Sequence, residues 1–292
     1  MQKENRSSWM LVASMFIFGT ISPFVRRISV FSGELALYRA ILAALMIGLF
    51  LLLTKQRLDL GSAKKELLLL VLSGGAMGFN WILLFEAYKY TTVSVATLSY
   101  YFAPVLVTVV CPLLFQEKLS KKQVLCFVMS TIGLILTTGL SDAGKGSSDM
   151  LGIFLSLGAA VLYAGVVLLN KFIKKVAGIH RTFLQFLAAI VVLIPYVALT
   201  SGVTLSGLDS TGWVCLLIVG LVHTGVTYCM YFSSLRELPG QKAAILSYID
   251  PLVAVLVSVT ILGEEIGPLQ LLGGGLILGF TLLNELPDRK RK

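Results

Sequence analysis

A chain of 292 residues that is 57% hydrophobic and only 13% charged is far from a soluble domain, which averages about 45–50% apolar and about 25% charged. Its mean hydropathy is +0.88, and no polar stretch is long enough for a separate catalytic domain, so a soluble enzyme, a disordered chain and a single-span receptor with an ectodomain are all excluded. The net charge of +9 is dispersed in small groups between apolar runs and forms no continuous basic face, which excludes a nucleic-acid surface.

In chain order the apolar segments run approximately Trp9–Val25, Leu35–Thr54, Leu67–Tyr88, Val93–Phe115, Val124–Leu140, Leu151–Ile173, Phe183–Thr200, Trp213–Leu235, Ala243–Leu262 and Leu269–Leu286. A bilayer span needs about 20 apolar residues, and no period-2 alternation suggests a barrel. The predicted fold class is therefore all-α, a polytopic membrane protein with ten transmembrane helices. The first segment lacks a small-residue cleavage pattern and is followed by further spans, so it is expected to be retained and not removed as a signal peptide. Cys111, Cys126, Cys215 and Cys229 lie inside apolar segments without metal-ligand spacing and read as small buried hydrophobes. No cofactor or metal is expected.

With the N-terminus placed in the cytoplasm, inside connectors hold 19 Lys and Arg and outside ones hold four, Arg26, Arg27, Lys89 and Lys145. The positive-inside rule then puts both termini in the cytoplasm, and with no organelle-directing signal visible the membrane expected is a prokaryotic plasma membrane. Arg26 and Arg27 are the discordant pair. Trp9 and Trp213 fall at segment ends, as interfacial anchors do.

Shifting the chain by 147 residues lays Pro104 over Pro251, Tyr101 over Tyr248, Gly78 over Gly225, Glu117 over Glu264 and Gln123 over Gln270. Five spans per unit is an odd number, so the second copy must enter the membrane from the other side. The expectation is two inverted repeats, 1–145 and 146–292, in one integral membrane domain, an arrangement found in many secondary transporters.

The stretches Ser247-Tyr-Ile-Asp-Pro251 through Leu262-Gly-Glu264-Glu and Gln270-Leu-Leu-Gly-Gly-Gly275, with Tyr101-Phe-Ala-Pro104 through Glu117 in the first half, resemble the repeats of EamA-type carriers of the drug/metabolite transporter superfamily. That resemblance implies a ten-helix inner-membrane carrier of small metabolites. Its central cavity would be formed by spans one to four and six to nine, with spans five and ten peripheral. Gly19-Thr-Ile-Ser-Pro23 and Arg26-Arg27 depart from the family's more usual aromatic-Gly-Ser/Thr-Asn type of run.

Charges inside spans are expensive, roughly 2.5–3.5 kcal/mol at the centre on insertion scales. Asp250 is the sharpest case, either a substrate or proton site or a structural group paired with Arg39 or with a helix terminus. Arg39 itself can pair with an acid or hold a substrate carboxylate bidentately. Glu86 is a second candidate for proton coupling, or it snorkels outward with Lys89. His223 is a candidate proton carrier or a hydrogen-bonded packing residue. Mid-span Pro104 and Pro251 would free the carbonyls of Tyr100 and Ser247 and act as hinges. Glu117 and Glu264 are expected to cap the helices that follow them or the amides of the loops before those helices, as architectural or gate-closing elements.

Asn80, Trp81, Tyr163, Asn170, Gln185 and Tyr228 complete the candidate substrate set with Tyr101 and Tyr248. Tyr100 is set aside because adjacent residues on one helix point about 100° apart. Gly74/Gly78 and Gly275/Gly279 have GxxxG spacing, expected to pack within the monomer in a monomer or weak homodimer. The function expected is secondary transport of a small metabolite such as an amino acid, a derivative or an amphipathic drug-like compound. Export by alternating access leads, with facilitated diffusion as the alternative. The expected partners are the substrate, membrane lipid and candidate protons, with no nucleic acid. The chain has no GxxxxGK[ST] loop for nucleotide drive. With only His180 and His223 available, an embedded enzyme lacks a catalytic set, and a non-transporting receptor is the remaining alternative.

Overall fold

The computed structural model describes residues 2–56, 58, 60–115, 120–138, 147–176, 178–200, 202–235, 238 and 246–286, and all regular structure among them is helical. In chain order the helices are α1 Gln2–Gly19, α2 Ile21–Val25, α3 Ser32–Leu53, α4 Leu60–Lys65, α5 Leu67–Tyr90, α6 Val93–Tyr100, α7 Ala103–Phe115, α8 Lys121–Thr138, α9 Ser147–Phe172 and α10 Gly178–Thr200. A rod follows, made of α11 Ser210–Leu217, a π-helical segment Ile218–Val226 and α12 Thr227–Leu235; then come α13 Ile249–Thr260 and α14 Pro268–Glu285. Among the described residues six helices are long and apolar enough to cross a membrane: Asn5–Val25, Ser32–Leu53, Leu67–Tyr90, Asp149–Phe172, Gly178–Thr200 and Ser210–Leu235. Shorter apolar helices occupy Val93–Val107, Ile249–Thr260 and Pro268–Asn284.

Local chemistry explains several helix starts. Thr92 accepts from the Val95 amide at α6, and Asp209 accepts from Gly212 at α11; each satisfies an amide that the first helical turn leaves without an intrahelical acceptor. Gln123 and Gln270, matched by the 147-residue shift, do the same job. Gln123 Oε1 accepts from the Ser120 amide at 2.8 Å, and Gln270 Oε1 accepts from the Gly267 amide at 3.0 Å. At α8 the capping box is complete, because Gln123 N donates in turn to Ser120 Oγ at 3.1 Å; Gly267 has no side chain, so at α14 only the glutamine half is made.

Many leucines point outward, as expected of a surface that meets lipid: Leu52, Leu68 and Leu199 are each more than 70% exposed. The interior is built where small residues let backbones approach. At α8 and α14 a Cβ added to Gly133 would lie 2.6 Å from the Gly273 carbonyl oxygen, and one on Gly273 would lie 2.5 Å from that of Gly133. Gly74 and Gly78 pack against α10 as expected, but Gly275 and Gly279 have nothing within 4 Å of an added Cβ. The contact on α14 is made instead by Gly273 and Gly274, the latter against Leu98. Composition cannot reveal which face of a glycine-rich helix is the covered one.

The proline expectation also needs correction. Neither Pro104 nor Pro251 kinks a continuous helix. The fourth apolar segment is broken at Tyr101–Phe102, so Pro104 is the second residue of α7, and Pro251 is the third of α13. In a first turn the proline's missing N–H has no intrahelical acceptor to lose. The chain has therefore stopped and restarted where a bend was expected.

Carboxylates clamp the ends of the bundle. Glu34, on α3, accepts from the Thr204 amide at 2.8 Å and from its hydroxyl. Glu66, before α5, accepts from the amides of Lys174, Lys175 and Val176 at 2.8–3.1 Å. Burial raises the Glu66 pKa, but these backbone bonds and the Lys175 charge outweigh it, and its net pKa is lowered.

Candidate functional site

Three interruptions in the helices meet at one place. α1 stops at Gly19 and restarts after Thr20, α6 stops at Tyr100, and α13 begins at Ile249. Gly19 makes the meeting possible: a Cβ there would lie 2.6 Å from the Asp250 carbonyl oxygen and 2.7 Å from Val253 Cβ. Tyr101 donates its phenol to Asp250 Oδ2 at 2.5 Å, tying one break to another across the molecule. Asp250 lies in the first turn of α13, where the helix dipole favours a negative charge.

Around this contact lies a cavity of about 360 Å³. It is lined by both expected charges, Arg39 and Asp250, and by Trp81, Tyr101, Tyr163, Tyr228, Tyr248 and Pro104. Arg39 is 6% exposed. Its guanidinium stacks over Trp81 at 4.6 Å and Phe85 at 5.4 Å, and its Nε donates to Thr224 Oγ1 at 2.7 Å. Among the described residues neither Arg39 nor Asp250 has an oppositely charged partner within 4.0 Å. The structural pairing of the two held open by the sequence is therefore not made.

Tyr100 joins Tyr101 on the cavity wall, contrary to the 100° argument. That argument assumes one continuous helix, and α6 ends between them. Tyr88, Thr97, Tyr231 and Phe18 also line the cavity and were not singled out in the sequence, although Tyr88 and Tyr231 lie a helical turn or less from residues that were.

Asn80, Asn170, Gln185 and His223, four of the expected substrate residues, do not line the cavity. Asn80 donates to the Ala159 carbonyl at 2.6 Å. Gln185 donates to Ser73 Oγ and Asn170 Oδ1, both at 2.8 Å. His223 is 3% exposed, with Nδ1 3.3 Å from the Ile218 carbonyl and Nε2 3.2 Å from Thr20 Oγ1. In the two readings left open for His223, these contacts fit the packing residue. Pro251 is buried and does not line the cavity.

Glu86 is held by Ser32 at 2.5 Å and Lys89 at 2.9 Å and is also absent from the wall. Glu117 lies outside the described residues. Glu264 caps a different helix from the expected one: it accepts from Val93 N at 2.9 Å and Ser94 N at 3.3 Å at the start of α6, and its Oε1 is 2.6 Å from Arg26 Nη2. The next helix, α14, is capped by Gln270 instead. The otherwise discordant Arg26 thus has its counter-ion. This pair lines a second space of about 650 Å³, and Phe85 and Tyr88 line both it and the central cavity.

A helical bundle with this many lipid-suited spans, enclosing an aromatic cavity that carries two charges not paired with each other, has the form of a membrane transporter. Known proteins agree. The profile of the EamA-like transporter family matches residues 6–139 and 150–285, and the chain belongs to that family. It is 31% identical over 264 residues to the uncharacterized transporter YxxF of Bacillus subtilis (strain 168), covering 90% of this chain and 84% of that one. It is 27% identical to an uncharacterized transporter of Archaeoglobus fulgidus (strain ATCC 49558), over 94% of both chains. A solved crystal structure superposes with a TM-score of 0.66 at 14% identity, covering 95% of this chain and 96% of that one, a likeness of fold alone.

Proposed function

We propose that the chain is a ten-span secondary carrier of two inverted repeats, 1–145 and 146–292, in a prokaryotic plasma membrane with both termini cytoplasmic. In this reading it exports a small amphipathic zwitterion, such as an amino acid or a derivative, by alternating access. The packing partners support the duplication, because they are preserved when the halves are exchanged. α5 packs on α9 as α12 packs on α1; α10 packs on α5 as the π segment packs on α3; α8 packs on α14 and α3 on α10. The two matched family stretches fall one in each half.

The observation that carries the substrate reading is the pair Arg39 and Asp250 in one aromatic cavity without an ion pair between them. Two intramembrane charges retained at a cost of roughly 2.5–3.5 kcal/mol each are explained if a ligand completes them. A zwitterion does so, with its carboxylate on the guanidinium fork and its ammonium on Asp250, while the tyrosines and Trp81 take the apolar body. Asp250 is also the group assigned to proton coupling, since Glu86 is engaged by Ser32 and Lys89 away from the cavity. Arg26–Glu264 is the gate at the outer end.

The test is flux of L-phenylalanine in proteoliposomes. R39Q is expected to lower flux at least tenfold, and D250N to abolish its dependence on a pH gradient. Wild-type flux and pH dependence in both variants would overturn the reading.

A further inference from the structure

Two rods pack on the pair α3 and α10: α5 on α10, and the rod Ser210–Leu235 on α3. The glycines that let α5 close on α10 are four residues apart. A Cβ on Gly74 would lie 2.4 Å from the Gln185 carbonyl oxygen, and one on Gly78 would lie 3.0 Å from Leu193 Cδ1. The glycines that let the second rod close on α3 are five apart. A Cβ on Gly220 would lie 2.4 Å from Leu42 Cδ1, and one on Gly225 would lie 2.6 Å from Met46 Cβ. The second rod thus carries one extra residue between corresponding contacts, and that residue falls within the π-helical Ile218–Val226. A turn closed i to i+5 absorbs a single added residue without unwinding the helix, and such turns are frequent at functional sites.

The extra residue decides what faces Arg39. On the α10 side, Gln185 donates to Ser73 on α5 at 2.8 Å. On the α3 side, Arg39 donates to Thr224 at 2.7 Å, and the Thr224 hydroxyl donates to the Val219 carbonyl at 2.8 Å, five residues back. Thr224 is fully buried. With its one hydrogen committed to Val219, its oxygen can only accept from Arg39. The bond engages Nε, the inner nitrogen of the guanidinium, and Trp81 and Phe85 hold the ring-facing side. A bidentate carboxylate can then use the outer edge of the fork.

We infer that Thr224, carried into place by the one-residue π insertion, is a positioning residue that aims Arg39 and so sets a preference for substrates bearing a carboxylate. The inference rests on the reading above that Arg39 receives that group.

It is tested by binding of L-phenylalanine and of phenethylamine, which lacks the carboxylate, to purified wild type, T224V, T224S and R39Q. T224V is expected to weaken L-phenylalanine about 10–150-fold, the effect of a lost charged hydrogen bond, and to leave phenethylamine within about twofold. T224S, which keeps the hydroxyl, is expected to restore the wild-type ratio. Phenethylamine binding reports on folding in every variant, and T224A replaces the valine should that variant not fold. Equal weakening of both ligands by T224V, or no change in their ratio while R39Q abolishes it, overturns the inference and leaves the carrier reading standing. A wild type that does not prefer L-phenylalanine, with R39Q without effect, overturns both.

Discussion

Replacing Glu264 by alanine is expected to bias the carrier toward opening at the Arg26 end. The wild-type side chain accepts from Val93 N and Ser94 N and pairs with Arg26 at 2.6 Å, and Arg26 is itself 33% exposed. Loss of an N-terminal cap costs typically about 1 kcal/mol, and an ion pair with a partly exposed member contributes up to about 1 kcal/mol. If these contacts exist only in the closed gate, E264A shifts the equilibrium by about 1–2 kcal/mol, roughly 5–30-fold in population. The assay is the labelling rate of T97C, on the cavity wall, by a membrane-impermeant maleimide added at the Arg26 face, with the native cysteines replaced. E264A is expected to label about 5–30-fold faster. E264Q, which keeps an acceptor for the two amides but loses the charge, is expected to rise about fivefold or less. Unchanged or slower labelling of E264A, with transport intact, would refute the gate.

Glu66 makes stability depend on acid. Its pKa is lowered in the folded protein, so its contribution is fully present above the unfolded value of about 4.3 and is lost as pH falls through the lower folded value. Wild type should lose melting temperature on acidification below about pH 4.3 more steeply than E66Q; parallel curves would remove Glu66 as the cause. At the α8–α14 contact, G273A must push Gly133 and Thr137 back from 2.5 Å, an overpacking cost of about 1–3 kcal/mol. The melting temperature should fall by several degrees in G273A and stay unchanged in G275A, whose Cβ meets nothing; equal effects would contradict the packing described.

Much of the fold was legible because hydrophobic runs are long-range statistics that do not depend on detail. Most of the apolar segments fall on observed helices, although the first helix starts seven residues early at Gln2 and the fourth segment is split into α6 and α7; within the ninth segment α13 occupies Ile249–Thr260. The charged pair Arg39 and Asp250 was legible for the same reason: a charge within an apolar run stands out. Helix breaks were not, since Pro104 and Pro251 are compatible with either a kink or a first turn, and only tertiary contact at Gly19 and Tyr101 selects the latter. That choice put Tyr100 on the cavity wall against expectation. The amides of Asn80, Asn170 and Gln185 look like ligand groups in a sequence, but they tie α5, α9 and α10 to one another. The π segment carries no motif; its one visible sign was the five-residue spacing of Gly220 and Gly225 against the four of Gly74 and Gly78.

The most direct test of the whole account is an experimental structure of the protein with L-phenylalanine bound. The expected result is a single ligand between α3 and α13, its carboxylate on the outer edge of Arg39, its ammonium on Asp250 and its ring among Trp81 and the tyrosines. A ligand seated elsewhere, or an Arg39–Asp250 ion pair closing the cavity to it, would contradict the account.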